Sequence, residues 1–396
     1  MRILTAPRDC APLQARERVA QEARPDGTER KNMHLVGLIE WLGENLLITL
    51  GGFLIGMTFG WFAQRSRFCL RSAVITFSRG KFDGTLAVWL FTFSAALIGT
   101  QMLILTGLLD VSETKHLASA GSLSGSVIGG LMFGVGMILA RGCSSRLLVL
   151  AATGNLRALL SGLIFAVIAQ MSLHGLLSPA RDWLAGLWVV TPEEGTNLLD
   201  RLALPREAGI IIGILWLAAG FWFAHRNVMG PRRIFQGVMT GLVVAAGWLF
   251  TYSMSISSFN IIPVESLTFT GPSADTLMFV LEWPDKPYDF DVGLVPGVFA
   301  GSFLSAWLGR ELKLQGFEGA HSMKRYIAGA ALMGFGGMLA GGCAVGAGIT
   351  GGSVFALVAW AALVSMWVGA MAADCIVDRN AICLPLSGRA AHGGSH

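Results

Sequence analysis

The sequence predicts an all-α integral membrane protein of about nine transmembrane helices with short re-entrant helices between them. Three observations carry this. The chain has 396 residues, 53% of them apolar and 14% charged, with a mean hydropathy of +0.60; soluble domains carry about 25% charged residues. Eight stretches hold no charged side chain at all: Asn45–Gln64, Leu86–Leu109, Leu117–Ala140, Ala158–Ala180, Ala208–Ala224, Ile234–Val264, Val292–Gly309 and Tyr326–Ala373. A spanning helix needs roughly 20 such residues, and a soluble fold buries one helix of this kind, not eight. The third observation is the 51 glycines, which let helix backbones approach closely inside a membrane.

Taken in order, the first seven runs are one span each. The last is too long for one and is interrupted by "GGCAVGAGITGGS", so it reads as Tyr326–Ala340 and Val354–Ala372, which brings the total to nine. Loop charge fixes the orientation. Residues 63–84 hold five basic side chains against Asp83; residues 141–157 hold Arg141, Arg146 and Arg157 with no acid; residues 225–233 hold three arginines; residues 255–291 hold six acids against Lys286. Basic loops face the cytoplasm. Nine spans with the N-terminus outside and the C-terminus inside put every basic loop on one side. Residues 1–33 form a polar leader without an apolar signal core and are expected to be disordered or absent; Met33 is an alternative start. Residues 374–396 read as a cytoplasmic polar tail.

Two segments repeat. "GVGMILARGC" at 134–143 and "GFGGMLAGGC" at 334–343 match at six of ten positions, including Gly142-Cys143 against Gly342-Cys343. The first ends the third span and the second ends the eighth. An odd number of spans separates them, so the copies run in opposite directions, as in inverted-topology transporters. The division is 34–225 for the first repeat and 226–373 for the second. Each motif stops a helix with glycine and is followed by an apolar piece too short to span, which reads as a re-entrant half helix. Non-helical backbone at membrane depth must be buried in protein or line a cavity. Half-helix N-termini offer unpaired N–H groups to a small anion. "RSRFCLRSAVITFS", with Cys69, is a third such place.

The candidate site residues are therefore Cys69, Cys143 and Cys343, with Gly142, Ser144, Gly341 and Gly342 beside them. The bland reading is that each cysteine is a small buried hydrophobe and each glycine a packing contact. The functional reading is that a thiol in apolar surroundings stays neutral, does not repel an anion, and hands a polarizable sulfur anion along by weak contacts, as conduction requires. No CxxC and no Cys-His neighbours occur, so no metal is expected; no motif calls for a cofactor, and the net charge of +4 is spread over membrane loops with no nucleic-acid patch. The 12 tryptophans are expected at the membrane interface and facing lipid.

The stretches "FGWFAQRSRFCLRSAVI" at 59–75, "GVGMILARGCSS" at 134–145 and "GFGGMLAGGCAVGAG" at 334–348 resemble the three cysteine motifs of the YeeE/YedE family of membrane proteins, over about residues 45–373. The resemblance implies an hourglass of nine spans with short helices entering from both faces, three pathway thiols at Cys69, Cys143 and Cys343, and uptake of a small sulfur-containing oxyanion, thiosulfate first, across a bacterial inner membrane. A cytoplasmic sulfur-carrier protein is a candidate partner. Arg141 and Ala344-Val345 depart from the family's usual residues. Two alternatives stay open: transport of another sulfur or selenium compound, and a membrane-embedded thiol enzyme, either a sulfurtransferase or a disulfide exchanger, which would need one reactive cysteine near a cation.

Overall fold

A computed structural model describes residues 43–379, apart from short stretches within 111–119 and at 192–195, 259, 261, 285–287 and 318–319. The predicted leader and residues 380–396 lie outside the described residues. The chain is helical: α1 Glu44–Ser66, α2 Leu70–Ser78, α3 Gly84–Leu105, α4 Leu123–Leu139, α5 Ser144–Ala152, α6 Leu156–His174, α7 Ser178–Ala185, α8 Leu198–Arg201, α9 Ala208–Arg226, α10 Pro231–Ser257, α11 Thr270–Leu281, α12 Phe290–Leu308, α13 Ala320–Leu339 and α14 Leu357–Ala373. A π-helical turn spans Gly346–Gly351, and another continues α14 through Asp374–Arg379. Gly121–Ser122 and Val189–Val190 pair antiparallel as β1 and β2.

Among the described residues, eight helical stretches are long and apolar enough to cross a membrane: α1 with α2, α3, α4 with α5, α6, α9, α10, α12, and α14 with the turn after it. The ninth predicted span is α13, a 20-residue helix that opens with Lys324 and Arg325 before its apolar part. Local chemistry sets the starts. Asp83, Ser122, Asn155 and Asp289 each accept a backbone N–H of the helix they precede, at 2.8–2.9 Å, and Pro231 opens α10 where its missing N–H costs nothing. Short polar side chains at these positions satisfy donors that the helix itself cannot pair.

Glycine sets the packing. On α1, Gly52, Gly56 and Gly60 lie against the carbonyls of Phe290, Leu294 and Val298; on α12, Gly293, Gly297 and Gly301 lie against those of Thr49, Phe53 and Met57. The numbers rise together, so the helices are parallel and their backbones touch. α10 and α3 pack in the same parallel way: Gly241 meets the Thr92 carbonyl, and Thr92 Oγ1 donates to the Gly237 carbonyl at 3.0 Å. α4 packs on α14 as α13 packs on α6. α4 and α13 pack on each other and run antiparallel. A Cβ on Gly129 would lie 2.5 Å from the Gly336 carbonyl oxygen, and one on Gly136 would lie 2.6 Å from that of Gly329. These two contacts exchange when 200 is added to or taken from each number.

The breaks are held from outside the membrane helices in the same matched way. At one end, Leu156 N–H donates to the Gln315 carbonyl and Lys313 N–H to that of Thr153, at 3.1 and 3.2 Å; at the other, Leu198 N–H donates to Phe355 and Leu357 N–H to Thr196, both at 2.8 Å. The non-helical stretch before α11 is buried at Val264, Ser266, Leu267 and Phe269. Its carbonyls are paired there: Thr251 Oγ1 donates to Glu265 O and Thr350 Oγ1 to Leu267 O, each at 2.6 Å. Irregular backbone survives at such depth only when it is satisfied like this.

Five tryptophans, Trp183, Trp188, Trp222, Trp283 and Trp307, are exposed on the surface, as expected of lipid- or interface-facing residues; Trp89 and Trp248 are not. Both are in the core, where Trp89 stacks on Phe93 with ring centroids 5.1 Å apart and Trp248 Nε1 donates to Ser353 Oγ at 3.3 Å. Trp248 thus has the N–H partner that a buried indole needs, whereas the Trp89 N–H has none among the described residues and its ring is held by stacking.

Candidate functional site

All three predicted cysteines follow the same backbone turn. α1 ends with Arg67 in the left-handed region (φ 55°), α4 is followed by Arg141 (φ 57°), and α13 by Gly341 (φ 76°). Each of these residues stands two before its cysteine. In each turn the N–H of the next residue reaches back: Phe68 to Ala63, Gly142 to Met137 and Gly342 to Gly337, at 3.2, 3.1 and 2.9 Å. The left-handed residue itself bonds Gln64, Ile138 or Met338, at 3.3 Å in all three. This double bond pattern is the Schellman termination, which satisfies the last carbonyls of a helix and turns the chain. The cysteine carbonyl then accepts from Ala73, Leu147 or Ala347, so each thiol stands where one helix has stopped and a short one begins.

The turn at Cys69 was not legible as a glycine motif, because Arg67 and Phe68 stand where the other two have Arg141-Gly142 and Gly341-Gly342. Glycine at the second position is therefore not what the turn requires. Gly142 gives room for Leu147, 3.2 Å from where its Cβ would be, and Gly342 for the backbone of Ala347. Gly341 has nothing within 4 Å of such a Cβ. It borders a cavity of about 220 Å³ lined also by Ser122, Ser126, Glu265, Ser266 and Thr268.

Cys69, Cys143 and Cys343 are all buried and reduced. Cys69 and Cys143 lie near enough for their thiols to influence each other electrostatically, although 74 residues separate them. Ser72 lies beside Cys69, and Ser145 Oγ lies 3.5 Å from Cys143 Sγ. Cys343 lies apart, with the Gly346 N–H directed at its Sγ over 3.4 Å. The spacing follows from the antiparallel pair: Ala140 lies beside Gly329 and Ala340 beside Gly129. At 1.5 Å of rise per residue the two turns stand about 16 Å apart along the helices. The structure thus brings two of the three thiols together at one end of α4–α13 and places the third at the other. Ser144 follows Cys143, with its hydroxyl buried and facing an apolar cavity of about 290 Å³.

Three side chains that the sequence reading did not single out complete the thiol pair. Arg146 reaches both thiols electrostatically. Its Nη1 is 3.5 Å from Gln64 Oε1, and Gln64 Nε2 donates to Glu311 Oε2 at 2.9 Å. In sequence, Arg146 is one basic residue in a basic loop. No local pattern joins it to Gln64 or Glu311, which come from two other elements.

Helices that break at matched, oppositely directed turns and set thiols at the breaks define a multi-pass membrane protein of the transporter class. The comparison with known proteins is specific. The chain belongs to the sulphur transport (YeeE/YedE) family, whose model matches residues 65–372. It is 27% identical over 349 residues to the thiosulfate transporter TsuA of Escherichia coli K12, covering 83% of this chain and 94% of that one. It is 26% identical over 329 residues to the thiosulfate transporter TsuA of Spirochaeta thermophila, covering 80% and 96%. The protein is a membrane transporter of a sulfur compound.

Proposed function

We propose that the chain imports thiosulfate across a bacterial inner membrane and that Cys69, Cys143 and Cys343 hand it inward as neutral thiols. The observation that carries this reading is the turn repeated three times, which sets a buried thiol at the head of a short helical segment each time. Backbone N–H groups there favour an anion, and neutral sulfur donors hold it loosely enough to release it. The N-terminus is outside and the C-terminus inside, so the cavity at Gly341 faces the periplasm and the Cys69–Cys143 pair faces the cytoplasm. Gly142, Ser144, Gly341 and Gly342 shape the pathway. The exchangeable packing of α4 with α13, and of α1–α12 with α10–α3, supports two inverted repeats at 34–225 and 226–373.

Importing a dianion against an inside-negative potential costs about 2.3 kcal/mol per charge per 100 mV, hence about 4.6 kcal/mol. Consumption of the product by a cytoplasmic sulfur-carrier protein offsets this. The test is radiolabelled thiosulfate uptake by cells with no other route for it, in competition with sulfate, sulfite and selenite. Saturable uptake competed best by unlabelled thiosulfate, and lost in Cys143→Ser and Cys343→Ser, is the expected result. Full uptake by either variant overturns the relay, and stronger competition by another anion overturns the substrate.

A further inference from the structure

The inner thiol pair is not surrounded by neutral groups alone. Arg146 sits in the first turn of α5, three residues after Cys143, half-buried and within electrostatic reach of both thiols. From there a chain of polar contacts leads outward. Arg146 Nη1 meets the buried Gln64 at 3.5 Å, Gln64 meets Glu311 at 2.9 Å, and Glu311 Oε1 is 3.9 Å from Arg67 Nη2. Its outer end is open: the thiols and Gln64 are buried, while Glu311 and Arg67 have side chains 45% and 69% exposed. The series runs from the thiol pair to solvent.

The other end of the protein is built differently. The residue 200 positions after Arg146 is Gly346, which offers Cys343 only a backbone N–H. The residue 200 positions after Cys69 is Phe269, buried and 5.3 Å from the Phe59 ring. So one end of the pathway has a single thiol with an amide, and the other has two thiols with a guanidinium. A guanidinium presents a planar fork of donors that matches an oxyanion. Its present partner is a neutral amide oxygen at 3.5 Å, beyond the usual range for a good N–H···O bond, so the fork is weakly held.

We propose that Arg146 binds the transported oxyanion at the inner end, taking it from the Cys69–Cys143 pair, and that the Gln64–Glu311 contact is where its guanidinium rests when the site is empty. This rests on the reading of the thiols as the pathway. The anion meets neutral donors on entry and a full positive charge only after it has crossed. Its attraction to Arg146 opposes the inside-negative potential, and Glu311 completes the cycle by competing for the guanidinium as the anion leaves. The site takes a divalent sulfur oxyanion: two negatively charged oxygens fill the fork, which a neutral sulfur compound does not.

The experiment is uptake of radiolabelled thiosulfate into proteoliposomes holding the purified full-length chain as wild type, Arg146→Gln, Arg146→Lys, Glu311→Gln or Cys143→Ser. Arg146→Gln is expected to lower the maximal rate at least tenfold while changing the half-saturating outside concentration less than threefold, because entry does not involve it. Arg146→Lys is expected to recover at least a third of the wild-type rate, since the charge returns without the fork. Glu311→Gln is expected to keep or raise the rate. A maximal rate within twofold of wild type for Arg146→Gln overturns the proposal. So does an Arg146→Lys rate no better than that of Arg146→Gln, or a Glu311→Gln rate below half of wild type. If Arg146→Gln does not reconstitute as a folded protein, the lysine variant decides: a maximal rate below a third of wild type overturns the proposal. Full uptake by Cys143→Ser, by contrast, removes the thiol pathway itself, so the two failures are told apart.

Discussion

Arg141 and Gly341 occupy the same left-handed backbone position, each two residues before a cysteine, with φ of 57° and 76°. One repeat meets the requirement with glycine and the other with a residue that has a Cβ. A left-handed non-glycine residue costs about 1–2 kcal/mol. Around Gly341 there is open space, so Gly341→Ala pays in backbone strain alone. Its expected loss is about 1 kcal/mol, read as a lower Tm in detergent. The reverse change is complicated by Arg141 lying over the Tyr326 ring at 5.9 Å, which Arg141→Gly also removes. The clean comparison is Arg141→Gly against Arg141→Ala: both lose the ring contact, and the glycine variant is expected to be more stable by about 1 kcal/mol. Equal Tm values for that pair would show that the turn is not strained.

Side chains between the packed glycines are excluded by the neighbouring backbone. Gly56 lies against the Leu294 carbonyl and Gly297 against that of Phe53, so neither clash can be relieved by a rotamer change. Gly56→Val and Gly297→Val are expected to abolish accumulation of folded protein, measured by fluorescence-detected size exclusion. Gly162 on α6 is the control, with nothing within 4 Å of a Cβ. Gly162→Ala is expected to be neutral or to gain about 0.5–1 kcal/mol from helix propensity.

Much of this architecture was legible because its signals are local. Apolar runs gave the helices, and the duplicated Gly-Cys ends gave two of the three breaks and their opposite directions. The third break, at Cys69, was legible only as a short apolar piece between basic residues; its turn is specified by backbone hydrogen bonds, and Arg67-Phe68 do not look like a helix stop. The proximity of Cys69 to Cys143, and the contacts of Gln64 with Arg146 and Glu311, join residues 74 to 247 positions apart. Nothing in the periodicity of one helix says which face of another it meets. Trp89 and Trp248 were misplaced for the same reason, since composition gives an indole's preference and only packing gives its partner.

Asp374 shows how much a terminal residue can hold. It is fully buried at the end of α14 and takes both Arg79 Nη2, at 2.6 Å, and Arg79 Nε, at 3.1 Å. Arg79 caps α2, so this pair ties the short helix that carries Cys69 to the last span. Removing one member of a buried pair leaves the other uncompensated, at a cost of about 3–5 kcal/mol. Arg79 is partly exposed, which puts Asp374→Asn toward the low end, about 3 kcal/mol. Arg79→Leu with Asp374→Leu is expected to lose less than the sum of the two single changes, because neither charge is then stranded. Additive losses in a thermal-denaturation cycle would mean that the ion pair is not what holds α2.

Ser144 and Thr270 make the sharpest separation of stability from transport. Ser144 opens α5 directly after Cys143, and Thr270 opens α11 directly after Phe269. Both hydroxyls are buried, and among the described residues neither has a hydrogen-bond partner. A buried, unpaired hydroxyl costs free energy, so replacing it with an apolar group of similar shape is neutral or stabilising. Ser144→Ala and Thr270→Val are therefore expected to leave the Tm unchanged or to raise it by the equivalent of about 1 kcal/mol. If Ser144 meets the passing anion, Ser144→Ala lowers the thiosulfate uptake rate severalfold in the same preparation that shows the unchanged or raised Tm. Thr270 is flanked by bare Gly337, whose Cβ would be 3.1 Å from Oγ1, and it stands on the Cys343 side. Its loss is expected to raise the half-saturating outside concentration instead. A fall in Tm for either variant would show that the hydroxyl has a structural partner. Unchanged uptake by Ser144→Ala would remove Ser144 from the pathway and leave Cys143 and Arg146 to meet the anion at that turn.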